Sequence, residues 1–248
     1  MDVPSVRGSD SVFVLFKGGR LASWHKLTQA ERHAAEQDHI DLMLSVATQH
    51  GMRRLEGFRL IGRQHEWERF WVIEFPTLAG AEAWIEAELR PPYGLYGYYE
   101  YQLARSWAVD HLATWPTFPR PTETLGAADP HSRPTLGADP SSIVVLLFGR
   151  GLPGYEVVGD ARGDGEHVGW MQQVARDHRM IRIEGFQAIA RQDGWHRAWI
   201  IEFPDLAGAE AWIDTETLPP HIAYSTKAFH LARRWSPGYF ATWVPKPR

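Results

Sequence analysis

The chain contains one twelve-residue stretch twice. EFPTLAGAEAWI begins at Glu74 and EFPDLAGAEAWI begins at Glu202, so the copies lie 128 positions apart and differ at one position. When the chain is aligned with itself at that spacing, 32 of the 58 positions from His50 to Trp107 equal their counterparts, without a gap. The period is too long for a solenoid, and it predicts the duplication of a whole domain.

The domain organisation follows from the repeat and from the composition between its copies. We predict a first repeat over residues 11–115 and a second over 142–245. The intervening segment, 116–141, is rich in Pro, Gly, Ala and Thr. Such a composition cannot build a hydrophobic core, so this segment is predicted to be a linker.

Each copy has the pattern of alternating strands and helices. In the first copy, SVFVLFKG is typical of a buried strand, and the helix that follows begins at Thr28 with Glu31 in capping-box position. LEGFRLIGR and ERFWVIEF predict a hairpin, and a second helix capped by Thr77 or Asp205 precedes an alternating final strand. The order predicts an α+β fold made of two tandem ferredoxin-like βαββαβ repeats.

A four-stranded sheet with helices on one face would leave its other face bare. We assign Trp71, Ile73 and Phe75, which alternate along the third strand, to that bare face. Burial of apolar surface contributes about 25 cal/mol per Å², which favours pairing of two such faces. The chain is therefore predicted to form an intrachain pseudo-dimeric α/β barrel, and a further homodimer is left open.

Composition excludes several classes of partner and site. The formal charge of −4 gives no reason to expect nucleic acid as a partner. The chain has no cysteine, which excludes disulfides, thiolate nucleophiles and sulfur-ligated metals. No stretch approaches about 18 apolar residues, and the apolar run at the start is too short for a signal peptide. We expect a cytoplasmic protein without a membrane segment, whose partner is a small molecule.

Two repeated segments carry a family resemblance. They are EQDHIDLMLSVATQHGMRRLEGF with DGEHVGWMQQVARDHRMIRIEGF, and FPTLAGAEAWIEAELRPPYGLYGYYEYQLARSW with FPDLAGAEAWIDTETLPPHIAYSTKAFHLARRW. Both resemble the dimeric α/β-barrel superfamily and, within it, the YCII-related family. The resemblance implies a pocket between sheet and helices, and some members of that family are lyases.

The resemblance also implies a pair of site residues, a histidine of helix one and an aspartate just after helix two. The histidine corresponds to His39 and His167, whereas the aspartate is replaced by proline in both copies. The nearest repeated acids are Glu88 and Glu216, one helical turn earlier. They are the candidate partners of the two histidines.

The residues themselves support a role for these histidines in acid/base chemistry. Each lies at the border of an apolar helix stripe, and partial burial tunes an imidazole pKa near neutrality. Glu36 and Asp164 precede His39 and His167 by three residues and could orient the imidazoles. The alternative is that the histidines pad the helix edge and the acids are solvated charges.

Further repeated residues are candidates for substrate binding. An arginine and a tryptophan share one face of the third strand in both copies, and such an arginine could bind a carboxylate or phenolate. Cross-strand ion pairs are the alternative. The final strand and the segment before it differ most between the copies, so either only one pocket remains active or the two pockets hold different ligands. The candidate binding residues are Arg69, Arg197, Trp71, Trp199, Tyr96, Tyr224 and His221.

Motifs for cofactors, metal ions and nucleophiles are missing from the sequence. It contains no GxGxxG, Walker, HxH, HExxH or nucleophile-elbow pattern. A histidine with one acid gives two ligands per copy, fewer than a catalytic metal site needs. We therefore predict no metal and no cofactor.

These observations favour a cofactor-independent enzyme with a histidine acid/base. The predicted reaction is a lyase, isomerase or cyclase step on an aromatic or polycyclic small molecule of secondary metabolism. The resemblance implies an alternative, since the superfamily also includes cofactor-free monooxygenases and haem-binding members with an axial histidine. A third possibility is a non-catalytic module that binds a hydrophobic metabolite.

Overall fold

A computed structural model describes residues 10–64, 67–119, 129–137, 139, 141–153, 163–190 and 194–245. The strands are β1 (Val12–Arg20), β2 (Arg54–Gln64), β3 (Trp67–Phe75), β4 (Gly97–Trp107), β5 (Ile143–Gly151), β6 (Arg182–Ala188), β7 (Arg197–Phe203) and β8 (Ser225–Arg234). The helices are α1 (Ala22–Lys26), α2 (Gln29–Gln49), α3 (Leu78–Glu88), α4 (Val109–Leu112), α5 (Asp164–Asp177), α6 (Leu206–Glu216) and α7 (Pro237–Ala241). Short 3₁₀ turns span Tyr93–Tyr96 and His221–Tyr224.

The fold is α+β, and its eight strands form a closed antiparallel barrel in the order β1-β3-β2-β8-β5-β7-β6-β4. This finding confirms the predicted α+β barrel. Among the described helices, none combines the length and the apolar character that crossing a bilayer requires.

The described residues divide into two compact units. The N-terminal unit contains residues 10–105, 129–137 and 233–245, and the C-terminal unit contains 106–119 and 139–232, both with the gaps given above. The predicted boundaries, 11–115, 116–141 and 142–245, mark the copies of the sequence and stay a prediction.

In the N-terminal unit, helices cover the sheet face that carries Ile73 and Phe75. These side chains share one core with Met43 of α2 and with Trp84 of α3. The prediction that Trp71, Ile73 and Phe75 form the bare face is therefore wrong. Strand β1 is apolar on both faces, with Val12 to Leu15 all buried, so alternation alone could not show which face the helices cover.

The end of the chain packs on the same unit. Trp235 and Phe240 contact Trp71 edge to face, with ring centroids 5.6 and 5.2 Å apart. A Cβ added at Gly57 of β2 would meet both Phe240 and Trp235 at less than 3.0 Å, so the absence of a side chain there permits the close approach.

The C-terminal unit has an equivalent core. Its strands β5, β7 and β6 pair antiparallel, and β5 also pairs with β8. Met171 of α5 and Trp212 of α6 pack against Ile201 and Phe203 of β7. Leu112 of α4 belongs to this core. A Cβ added at Gly185 of β6 would lie 3.0 Å from the Leu112 side chain.

Local sequence signals account for the starts of three of the seven described helices. The capping box predicted at Thr28 is present, because its hydroxyl accepts from the Glu31 amide while the Glu31 carboxylate accepts from the Thr28 amide. Thr77 and Asp205 cap α3 and α6 as predicted. Helix α5 differs, since it follows Gly163 at φ 66° and its N-cap has no side-chain hydrogen bond.

Candidate functional site

The two repeated histidines each bind the repeated glutamate. In the N-terminal unit, His39 Nε2 lies 3.1 Å from Glu88 Oε2, and in the C-terminal unit His167 Nε2 lies 3.3 Å from Glu216 Oε2. All four side chains are nearly buried. The fold thus brings the end of α3 to the middle of α2 and the end of α6 to the first turn of α5, and it forms a buried imidazole–carboxylate pair in each unit.

An aromatic ring and a guanidinium group surround the N-terminal pair. The His39 ring stacks on Tyr93 with centroids 3.7 Å apart and planes within 9°. The Arg20 guanidinium lies 4.1 Å from the Trp24 ring and 4.2 Å from the Tyr93 ring, and it donates a hydrogen bond to the Tyr93 hydroxyl. Burial raises the pKa of this phenol, so Tyr93 stays protonated near neutral pH.

A cavity of about 500 Å³ adjoins this pair, entirely within the N-terminal unit. Its walls come from β1, α2 and β3, together with residues 131–134 and the chain end. This volume is typical of a small-molecule site. Four arginines (Arg20, Arg32, Arg69 and Arg133) but two glutamates (Glu36 and Glu88) line it, so its fixed charge is positive.

Arg69 is the most perturbed cation of this cavity. Burial, and after it the positive charge of Arg20, lower the pKa of the Arg69 guanidinium. Its Nε lies 3.7 Å from the neighbouring Glu68 carboxylate, and its guanidinium lies 5.6 Å from the Trp235 ring. The cavity therefore holds two close guanidinium groups.

The C-terminal pair carries a cation of its own. Lys227 Nζ donates to the Glu216 carboxylate and to the Glu216 carbonyl oxygen, the latter at 3.0 Å. Burial works to raise the pKa of Glu216, but the hydrogen bond from His167 and the charge of Lys227 outweigh it and lower that pKa. Glu216 is therefore a carboxylate, and its charge is balanced within the cluster.

A second imidazole covers His167. The rings of His167 and His221 stack with centroids 3.9 Å apart and planes within 8°. His221 Nδ1 lies 3.2 Å from Asp164 Oδ1. Burial, together with the charge of Lys227, lowers the pKa of His221 to about 4, so this ring is neutral at physiological pH.

The donor atoms of His167, Glu216 and His221 lie within 4.8 Å of one another, which raises the question of a bare metal ion. Imidazole lone pairs lie in the ring plane, and two parallel stacked rings cannot both direct them at one ion. Lys227 already supplies the positive charge beside Glu216. This geometry disfavours a shared ion, and the predicted absence of a metal site stays a prediction.

His167 has one further property. Its Nδ1 is buried, and no group among the described residues forms a hydrogen bond with it. With Nε2 on a carboxylate and Nδ1 unpartnered, the ring offers one free nitrogen. A metal-ligating histidine has the same arrangement, since its second nitrogen is usually held by a carboxylate.

The acids predicted to orient the histidines lie elsewhere. Glu36 Oε1 is 4.0 Å from Arg20 Nη2, and Asp164 binds His221. Glu88 and Glu216, one turn before the prolines, contact the two imidazoles instead. The reason is geometric, because a residue at i−3 lies on a neighbouring helical face, while α3 and α6 end opposite the histidine.

The predicted binding residues fall into two groups. Arg69 and Trp71 line the N-terminal cavity, whereas Tyr96 lies against Trp24 and does not line it. In the C-terminal unit, Arg197 and Trp199 both contact Trp107, and the Tyr224 carbonyl accepts from the Leu152 amide. His221 contacts His167 directly.

Sequence reasoning missed the two cations that distinguish the units. The strand pairings place Gly151 at the position of Arg20, and Lys227 occupies the position of Tyr99. The available signal was a charged residue present in only one of the two copies.

Comparison with known proteins adds the fold but not the chemistry. No protein-family model matches the sequence, and no curated protein matches it. A mutant chlorite dismutase from Candidatus Nitrospira defluvii in complex with cyanide has a TM-score of 0.66 at 11% identity, covering 96% of both chains. The chlorite dismutase of the same organism in complex with imidazole has a TM-score of 0.63 at 10% identity, covering 96% of this chain and 97% of the other.

These neighbours correct one prediction. Chlorite dismutase-like proteins bind haem, so the expectation of a chain without a cofactor is contradicted. They give no support to a lyase, isomerase or cyclase of secondary metabolism. The chain shares the fold of chlorite dismutase-like proteins, which belong to the dimeric α/β-barrel superfamily.

Proposed function

We propose that this chain is a haem-dependent enzyme acting on a small molecule, and that His167 is the residue that would hold the haem. The observation that carries the proposal is the buried Nδ1 of His167, which has no partner among the described residues while Nε2 is fixed on Glu216. The shared fold with chlorite dismutase-like proteins supports the haem-dependent alternative over a proton-transfer enzyme.

The residues around His167 fit an imidazole that would hold a haem. A carboxylate on the second ring nitrogen orients the ring and increases its basicity, which strengthens donation to a metal. Lys227 keeps Glu216 ionised, so the carboxylate accepts a hydrogen bond and does not compete for a proton. His167, Glu216 and Lys227 are therefore the residues whose chemistry fits a haem.

When bound, haem supplies redox chemistry and the activation of small oxygen species. The chain's own contribution is to hold and insulate the ligand. His221 covers one face of His167 as a neutral ring, since its pKa lies at about 4, and it adds no positive charge beside the site. Asp164 fixes the orientation of His221 through Nδ1.

Hemin titration tests this proposal, with the repeated histidine as the matched control. We expect wild type and His39→Ala to develop a Soret band, and His167→Ala to bind hemin at least about tenfold more weakly, since the residue that would hold the haem is lost. Glu216→Gln should retain the band and raise the reduction potential, because a neutral amide donates less charge to the imidazole. Equal hemin affinity of His167→Ala and wild type would overturn the assignment.

The remaining sequence predictions belong to this proposal. We infer that residues 11–115 and 142–245 are tandem ferredoxin-like repeats with YCII-related ancestry, joined by a linker over 116–141. The identical strand order in the two units, with β1 or β5 between the third and the final strand, supports the repeat. A cytoplasmic location and further homodimerisation are proposed on the same sequence grounds.

A further inference from the structure

We propose that the cavity of the N-terminal unit binds a planar aromatic carboxylate, held by the guanidinium groups of Arg20 and Arg69. Its ring would lie among the aromatic side chains of the wall. This site is separate from the candidate haem ligand His167, so the inference does not rest on the proposed function.

The positive charge of the cavity wall favours the binding of an anion. Of the two glutamates on its wall, Glu88 is bound to His39 and Glu36 is 4.0 Å from Arg20. The four arginines of the wall exceed the two acids, and a guanidinium group cannot lose its charge by titration near neutral pH. A bound carboxylate would reduce the repulsion between these cations.

The sheet places the two principal cations side by side. Strands β1 and β3 pair antiparallel with Gly18 opposite Arg69, so Arg20 lies diagonally across from Arg69 on the same face. Gly18 has no side chain to separate them. A carboxylate with two oxygens can therefore accept from both guanidinium groups.

Arg20 is also fixed in place before any ligand binds. Its side chain is 8% exposed and lies between the rings of Trp24 and Tyr93. Little side-chain freedom remains to be lost on binding, which favours affinity.

The aromatic wall has unused hydrogen-bond donors. Trp71 and Trp84 line the cavity, and the indole Nε1 of each is buried without an acceptor among the described residues. A buried donor without a partner costs free energy, and an oxygen-bearing aromatic ligand could accept from it. Phe16 and Tyr99, stacked with centroids 5.9 Å apart, add a flat apolar surface on the same wall.

The second copy does not repeat this arrangement. Gly151 stands where the first copy has Arg20, because each pairs with the first residue of the final strand of its unit. Lys227, at the position of Tyr99, is bound to Glu216. The ligand chemistry proposed here is therefore specific to the N-terminal unit.

Calorimetric titration of the full chain with 2-naphthoate tests the inference, and the uncharged 2-naphthamide is the matched probe. We expect saturable binding of 2-naphthoate, and binding of the amide weaker by about tenfold or more, because charge-assisted hydrogen bonds are lost. Arg69→Gln and Arg20→Leu should each weaken 2-naphthoate binding by about tenfold. Arg197→Gln, the same change in the other copy, should leave the affinity within about twofold.

Several results would overturn the inference. They are equal affinity for naphthoate and naphthamide, unchanged affinity in Arg69→Gln, or competition between hemin and 2-naphthoate. Circular dichroism checks the fold of each variant. If Arg20→Leu does not fold, the partly exposed Arg69 still decides the question. Loss of hemin binding in His167→Ala with retained naphthoate binding would show that the two proposals stand or fall separately.

Discussion

The two imidazole–carboxylate pairs have the same geometry and different surroundings. In both, a buried histidine binds a buried glutamate at 3.1 or 3.3 Å and stacks on a ring that follows the second helix. In the N-terminal unit the nearby cation, Arg20, binds the phenol of Tyr93. In the C-terminal unit the cation, Lys227, binds Glu216 itself.

This difference shows how one displaced positive charge can separate two copies of a site. Where the lysine neutralises the carboxylate, the cluster is balanced and serves to orient His167. Where the arginine stands apart, its charge is directed at a cavity and can meet a ligand. A repeated motif therefore does not imply a repeated function.

The largest effect expected concerns Lys227. Lys227→Met leaves Glu216 buried without its cation, and breaking such a buried pair should lower the free energy of unfolding by about 3–5 kcal/mol. The matched change in the first copy is Tyr99→Phe, which removes a 3.3 Å hydrogen bond to the Tyr93 carbonyl and should cost about 1 kcal/mol or less. Urea unfolding measures both. If the two variants lost similar free energies of unfolding, the proposed difference between the two imidazole–carboxylate pairs would be contradicted.

Replacing Glu216 should likewise cost more free energy of unfolding than replacing Glu88. Glu216→Gln leaves Lys227 buried and uncompensated and should cost about 3 kcal/mol. Glu88→Gln retains a partner for His39 without stranding a lysine, and about 1 kcal/mol is expected. In the double variant Lys227→Met/Glu216→Gln, the cost should be well below the sum of the singles. Additive costs in urea unfolding would contradict the coupling.

A smaller effect is expected from His221 as pH changes. Because its pKa is about 4 in the folded chain against 6.5 in the unfolded chain, the unfolded chain takes up a proton first as pH falls. Stability should therefore fall between pH 6.5 and 4, by about 1–2 kcal/mol after allowance for solvent screening. Glu216, whose pKa is lowered, loses its contribution at still lower pH.

The variant His221→Tyr isolates this effect, because it gives the second copy the ring of the first. Thermal unfolding at pH 7 and at pH 4.5 should show a smaller pH dependence in this variant than in wild type. The same pH dependence in both proteins would assign the effect to another group.

The smallest effect distinguishes the starts of the two long helices. Thr28→Ala removes the capping box of α2 and should cost about 1 kcal/mol, whereas Thr28→Ser should be nearly neutral. Helix α5 has no comparable side chain to remove at Gly163. Chemical denaturation would show a loss in Thr28→Ala that exceeds the loss in Thr28→Ser, and equal stabilities would count against the cap.

Local signals in the sequence predicted much of the fold. The duplication, the capping box at Thr28 and the caps at Thr77 and Asp205 are all readable over a few residues, because helix starts depend on short-range hydrogen bonds. The two faces of the sheet were not readable in this way. Strand β1 is buried on both sides, so period-two alternation gave no direction.

The site was partly predictable for the same reason. Glu88 and Glu216 could be named from the repeat, since each follows its histidine at the same distance in both copies. The contacts of Arg20 with Tyr93 and of Lys227 with Glu216 depend on which strand faces which helix end. Such long-range contacts leave no periodic trace within one copy.

The stoichiometry of hemin binding tests the central claim, the divergence of the two pairs, most directly. Absorbance titration of the wild-type chain should reach its end point at one hemin per chain, and His39→Ala should have the same end point. Two equivalents in wild type, falling to one in His39→Ala, would contradict the account, because both pairs would then hold the same ligand.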